Sequence, residues 1–494
     1  MDKKIVHLLW NVAFSVLALL FSAGCPEGED VASLPQVKDV RTVKIALPVG
    51  AVWPRAGGNP MSFGAATIPG PSKLARLWDA ALGDAPALSP VLDSQGRIYA
   101  CALGKPLVAL GPDGASLWKL QADGELQTAV DGLRASPALA ADQIWFVSDR
   151  GLAAVGFDGR ELFRIPGSDI SPEPLTNLAV HPNGGLVVTS LDGTVVFFDA
   201  NCQPTGAAKI EGSAASPASF DDDGFAYICS SGEYLYKFGP GGKLAWKWAT
   251  GSPNIAAPAI QGDRVTVASV EGTLFELDLS GRLRWSSPVF SDAVEQERKL
   301  RKENDSAVAG LFWPAAVVNR QSAKSDAEKN DAETVIEYAV PWVTRPDKLS
   351  EASYLITWMK AEGTMRMTKE YAKSAEAGLS FGAPPAFDSE GRVYVAAGGK
   401  LYVYKELELL DEIPLGDGAV ESGAQPVIAP GRRILVPLED GRLVCFGEPA
   451  AADPSGSASE TEAADESESD ASAQAAPDAT EPVEPGDSPP DQPE

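Results

Sequence analysis

Histidine is nearly missing from this sequence. Two occur in 494 residues, His7 and His181, and only His181 lies beyond the apolar N-terminal run. One such residue leaves no His-based metal cluster and at most one nucleophile-activating set. Cysteine is also sparse: Cys25, Cys101, Cys202, Cys229 and Cys445 are widely spaced, with no Cys-x-x-Cys and no adjacent pair. That spacing gives no zinc ribbon and no dithiol redox motif. Positive charge is scarce too. The 41 Lys and Arg stand against 68 Asp and Glu, a formal net charge of −27. Nucleic-acid binding rests on basic phosphate contacts, so this balance argues against it. After the first two dozen residues no apolar run is long enough to span a bilayer.

The N-terminus is a targeting segment. "MDKK" carries positive charge, "IVHLLWNVAFSVLALLF" is an early apolar run, and "SAGC" supplies small residues before a cysteine. This is the layout of an export signal. The cysteine after Ala23-Gly24 resembles a bacterial lipoprotein processing site, with Cys25 as the lipid-bearing residue; Ser22 stands where such sites usually carry leucine. The expected organisation is 1–25 signal and lipidation segment, 26–72 linker and lead-in, 73–449 folded domain, and 450–494 tail. The tail has 13 Asp and Glu and no Lys, Arg, aromatic, Ile or Leu. It cannot bury enough apolar surface to offset its ordering entropy and is expected to be disordered. If Cys25 is lipidated, four thiols remain, and their pairing stays open.

The 47 glycines and 39 prolines are scattered through the middle, which suits many short strands joined by tight turns. They punctuate a repeat. "ALSPVLDSQGRIYACALGKPLVALGPDGASLW" from Ala87 has counterparts starting at Arg134, Leu175, Ala214, Ile255, Phe381 and Ser422. The early copies are spaced by about 40 residues, a propeller-blade period. A Pro opens most copies, at Pro90, Pro137, Pro217, Pro258, Pro385 and Pro426. Proline has no N–H to give, so it belongs at a strand start. Three further strands follow through polar and Gly turns, and the last ends on Trp118, Phe163, Trp246 or Trp285. A divergent copy opens at Pro314 and continues through "TVIEYAVPWV" and "SYLITWMKAEGTMRMTKEY", with a charged insert within about 291–335.

The expectation is an all-β, eight-bladed β-propeller of four-stranded antiparallel blades. The last copy stops at "GRLVCFGEP" without a fourth strand, while "KLARLWDAAL" stands alone before the first copy. That N-terminal strand is expected to complete the last blade and close the ring, with Trp78 in the docking position. Closure protects strand edges. Trp78, Trp118, Phe163, Trp246 and Trp285 recur once per blade, so they read as aromatics packed between blades and not as a cofactor box. His181 falls where other copies carry turn residues such as Asp93 and Asp388, and reads as a surface hairpin residue. "DDDG", Asp221 to Gly224, invites calcium but aligns with the hairpin turns "DSQG" and "DSEG". Three adjacent acids also lack the alternating ligand loop.

The Pro-opened blades with a Gly-x-x-x-Trp turn, and the lead-in "VWPRAGGNPMSFGAATIPGP" from Val52, resemble the quinoprotein-type (PQQ-like repeat) propeller family. The resemblance spans about Lys73 to Gly447. The family includes quinone-dependent alcohol and sugar dehydrogenases and the propeller lipoprotein of the outer-membrane β-barrel assembly machine. The alcohol-oxidising branch implies an adjacent Cys-Cys pair, a calcium site and a catalytic Asp. The Cys-Cys pair is missing here, and no residue is assigned to catalysis, cofactor or metal. The reading is an exported, lipid-anchored, non-catalytic scaffold whose partners are envelope proteins, including barrel-assembly components. The alternatives are a propeller holding a small molecule or polysaccharide in its central channel, and a quinone-dependent dehydrogenase.

Overall fold

With short breaks, the computed structural model of the chain describes residues 44–120, 132–288 and 384–448 and the strands between 311 and 373. Residues 1–43 with Cys25, where the export signal is expected, most of the charged insert and the tail lie outside the described residues.

Seven antiparallel sheets have four strands each, and we number these blades in chain order. Blade 1 is Val91–Leu92, Ile98–Ala100, Val108–Leu110 and Ser116–Lys119; blade 2 runs from Ala138–Leu139 to Glu161–Pro166. Blade 3 runs from Leu175–Val180 to Pro204–Lys209, blade 4 from Ser219–Phe220 to Leu244–Ala249, and blade 5 from Ala259–Gln261 to Leu283–Pro288. Blade 6 runs from Ala386–Phe387 to Glu408–Pro414. Blade 7 takes Val427–Ala429, Arg433–Pro437 and Arg442–Gly447 from the end of the domain and its outer strand, Ala75–Ala81, from the beginning. Trp78 there lies opposite Cys445.

The expectation of eight four-stranded blades is corrected to seven. The divergent copy, between blades 5 and 6, forms a five-stranded sheet instead. Leu311–Phe312 and Ala316–Gln321 both pair with Thr334–Val343, the first with its end and the second with its beginning.

The strands of a blade differ in what they bury. Middle strands are buried on both faces, as in Gln143–Ser148 and Leu186–Ser190, because neighbouring blades cover both sides. They therefore read as continuous apolar runs rather than as alternation. Outer strands are more exposed, alternating half-buried and exposed residues in part of Leu244–Ala249, though that of blade 2 buries Phe163 and Ile165. Every outer strand of the seven blades carries a register shift against its neighbour. Such bulges twist an exposed edge away from pairing with another chain. The opening strands of neighbouring blades lie beside one another and so converge on the ring's centre.

Candidate functional site

The outer-strand aromatics meet the turn between the third and fourth strands of the next blade. Trp118 Nε1 donates to Phe157 O at 2.9 Å, and a Cβ at Gly159 would fall 2.8 Å from its ring. Trp246 Nε1 donates to Leu279 O at 3.1 Å, and a Cβ at Gly281 would fall 2.9 Å from the indole. Trp78, in the outer strand of blade 7, repeats this on blade 1, with Nε1 to Pro112 O at 3.2 Å and Gly114 beneath the ring. Trp285 lies on Gly363 of the five-stranded sheet. The glycines hold positive φ, +84° at Gly114 and +82° at Gly159. Two needs therefore meet there: a left-handed turn and a flat surface for the ring.

Phe163 departs from this pattern in a complementary way. It is smaller and has no N–H. The corresponding turn of blade 3 carries Cys202 at φ +57° in the glycine's place, and Phe163 and Cys202 share one buried cluster. Blade 3 has no outer aromatic at all. Gly206 sits opposite Phe197, and it is Phe197, one strand inward, that covers Gly242 of blade 4.

A second repeated device lies at the turn between the first two strands. Asp93 accepts the backbone N–H groups of Gln95 and Arg97 on Oδ1, and the Tyr99 hydroxyl and Arg97 Nε on Oδ2. Asp388, Arg392 and Tyr394 repeat it in blade 6. In blade 4, Asp221 accepts Phe225 N–H at 2.8 Å and the Tyr227 hydroxyl at 2.9 Å, but Phe225 stands where the arginine would be. The cation comes from Lys237 instead. Its Nζ lies 3.3 Å from Asp221 Oδ2 and 4.1 Å from the centre of the Phe225 ring, and donates to Leu279 O at 3.0 Å. Burial and the neighbouring carboxylates push all three tyrosine hydroxyls upward, so they remain protonated donors. Asp221 is thus committed to internal partners. Among the described residues no group of three or more His, Cys, Asp or Glu is arranged to hold a metal.

The lead-in is woven into the ring's centre. Trp53 and Leu92 of blade 1 exchange backbone hydrogen bonds, and Leu139 N–H of blade 2 donates to Pro54 O. Arg55 Nη1 donates to Ala218 O, beside the opening strand of blade 4, at 2.7 Å, and Ser219 Oγ donates to Ser62 Oγ at 2.9 Å. Ala66 N–H donates to Phe387 O of blade 6, and Phe387 N–H to Gly64 O. One short stretch thus touches the opening strands of four blades, which places it across the axis. Arg55 is buried, and desolvation lowers its guanidinium to about 10. Farther on, Gly70 N–H donates to Asp388 Oδ2 while Arg392 Nη2 donates to Gly70 O. A Cβ at Gly70 would collide with the Tyr394 hydroxyl. Ser72 then donates through N–H and Oγ to Glu448 Oε1, joining the beginning of the domain to its end.

The four thiols left open by the sequence are all buried and unpaired by disulfides. Burial pushes Cys202 and Cys445 up to about 12 and drives Cys101 and Cys229 upward as well. His181 is half-buried and bonded on both ring nitrogens, a firmer placement than a surface hairpin residue. Lys237, Arg55 and Gly70 were missed from sequence. The recurrence of Asp and Tyr six residues apart, in "DSQGRIY", "DDDGFAY" and "DSEGRVY", was a signal that could have located the first.

A family model for PQQ_2, described as outer membrane protein assembly factor BamB, matches residues 191–310. No curated protein matches the chain. Among solved structures, quinohemoprotein alcohol dehydrogenase from Comamonas testosteroni overlays with a TM-score of 0.59 at 12% identity, covering 83% of this chain and 82% of that one. The computationally designed Ika8 protein overlays at 0.52 and 14% identity, covering 76% and 99%. BamB from Moraxella catarrhalis, at 10% identity and coverage of 76% and 100%, reaches only 0.38, too loose to carry an argument. These likenesses show the fold: a β-propeller built of PQQ-type repeats.

Proposed function

We propose that this chain is an exported, non-catalytic interaction scaffold of the bacterial envelope, anchored by lipid on Cys25, which serves outer-membrane protein assembly. The observation that carries this reading is the path of the lead-in. The centre of the ring, where a propeller would hold a small ligand, is occupied by the described lead-in residues, with Trp53 and Pro54 bonded to blades 1 and 2, Arg55 and Ser62 to blade 4 and Gly64 and Ala66 to blade 6. Loops on the two faces are the surfaces left for partners. The match of residues 191–310 to the BamB description supports the assembly role and its partners, envelope proteins including barrel-assembly components. The five aromatics act in this reading as inter-blade docks that keep the loop faces rigid.

The test is in vivo crosslinking of tagged protein in the membrane fraction, followed by mass spectrometry of what co-purifies. Recovery of an outer-membrane barrel with its assembly partners supports the scaffold. Recovery of the protein alone, together with dye-linked alcohol oxidation after adding pyrroloquinoline quinone and calcium, overturns it in favour of a dehydrogenase.

A further inference from the structure

His181 occupies the turn position held by aspartate in blades 1, 4 and 6. Its Nδ1 accepts the Asn183 N–H at 3.0 Å, the same local bond that Asp93 Oδ1 accepts from Gln95. Its Nε2 reaches across to blade 4 and lies 2.7 Å from Gly224 O. Those two contacts require the neutral tautomer with the proton on Nε2, because Nδ1 must offer a lone pair. The ring edge also meets Phe220 at 4.9 Å between centroids. Gly224 sits on the imidazole so closely that a Cβ there would lie 2.9 Å from Cε1.

The same turn carries the start of the described lead-in on its other side. A Cβ at Gly184 would fall 2.6 Å from Ile45 O, and Ile45 N–H donates to Ala200 O at 2.6 Å in the adjoining turn of blade 3. The His181 turn is therefore clamped between the incoming N-terminal strap and blade 4. We infer that His181 is an acid-sensitive latch, whose protonation breaks its bond from the Asn183 N–H, loosening the His181 turn and with it the seating of the strap at Ile45.

The chemistry is a mismatch of donors. An imidazolium carries a proton on Nδ1 and faces the Asn183 N–H with a donor where an acceptor is needed. Burial opposes the charge and lowers His181 from its ordinary value; the Gly224 carbonyl and Asp221 act in the other direction. The charged group that acts on it is Asp221 of the blade 4 turn, with Asp222 and Asp223 next to it in sequence and Lys44 preceding Ile45 in the strap. Asp221 is already committed to Tyr227 and Lys237. A histidine whose folded pKa lies below its unfolded one stabilises the fold fully above the unfolded value. It loses that contribution as pH falls through the unfolded and then the folded value.

Hydrogen exchange with mass spectrometry on the full chain at pH 7.5 and 5.0, corrected for intrinsic rates, tests the latch alongside an NMR titration of the His181 ring. Protection at Asn183 and Ile45 should fall about tenfold as His181 protonates, in line with the loss of one hydrogen bond. In His181→Asn, which keeps a side-chain acceptor, protection should stay flat between the two pH values; His181→Asp serves if that variant folds poorly. The inference is overturned if His181 titrates at or above its ordinary value, if it protonates without loss of protection, or if His181→Asn loses protection to the same extent.

Discussion

Trp118 lies flat on Gly159 of the next blade, and its Nε1 donates to Phe157 O two residues earlier in the same turn. The glycine gives the ring its surface and the carbonyl gives the N–H its partner. Phe157 in turn stacks on Tyr99 of the first blade, 5.5 Å between ring centres, beneath the Arg97 guanidinium. Each side of the contact thus seats a ring from the other.

This pairing predicts coupled mutational effects. Gly159→Cys forces a side chain against the indole at φ +82° and should lower the melting temperature clearly. Trp118→Phe in the same chain reproduces the natural Phe163 and Cys202 pair. The double variant should recover part of the loss, with an interaction of about 1 kcal/mol in a double-mutant cycle. Additive effects would mean that ring size and turn residue are unrelated. Trp246→Ala should cost about 3 kcal/mol by thermal or urea unfolding.

Lys237 and Asp221 form a buried pair in which the lysine supplies the charge that arginine supplies in blades 1 and 6. Lys237→Met leaves Asp221 buried without its cation and should destabilise by about 3–5 kcal/mol. Adding Phe225→Arg restores the guanidinium at its usual place and should return much of that loss. Urea unfolding of the three variants decides this, and a double variant no better than Lys237→Met would show that the repeated motif is not interchangeable.

The four described thiols should be inert in the folded protein. Burial raises them all, Cys202 and Cys445 to about 12, so thiolate is scarce at neutral pH and access is closed. Ellman's reagent should label them only as denaturant unfolds the ring, and reducing agent should leave the melting temperature unchanged. Rapid labelling in buffer would contradict the burial.

Gly70 is held on both backbone groups by Asp388 and Arg392, under the Tyr394 hydroxyl. Gly70→Ala should therefore destabilise by more than the roughly 1 kcal/mol expected for a glycine's conformational freedom alone. Tyr394→Phe, which removes the hydroxyl, should soften that penalty. Equal effects of Gly70→Ala in both backgrounds would place the strain elsewhere.

The repeat was legible because its markers are local. Pro90, Pro137 and Pro217 open strands, Gly114 and Gly159 close turns, and an aromatic ends most blades. The pairing of Ala75–Ala81 with the end of the domain followed from one missing strand and one surplus strand. Local markers failed where the chain spends residues on long-range contacts. Arg55 meets Ala218, 163 residues away, and Gly70 meets Asp388, 318 away. Nothing in the spacing of either residue announces such a partner. The divergent copy misled for a different reason: its opening reads as one strand, whereas Leu311–Phe312 and Ala316–Gln321 pair separately with the two ends of Thr334–Val343. His181 looked like a turn residue and is one, but the bond from its far nitrogen to blade 4 depends on packing between blades.

The lead-in lies across the axis, which leaves binding to the faces. Ser62 Oγ and Ser219 Oγ are 2.9 Å apart. The variant carrying Ser62→Cys and Ser219→Cys, oxidised mildly and digested without reduction, measures that contact directly. A resident strap gives a disulfide between the two introduced thiols in nearly all molecules, with the oxidised protein still capturing its membrane-fraction partners. Absence of that bond, or loss of capture once it forms, would contradict a resident axial strap and reopen the channel as the working site.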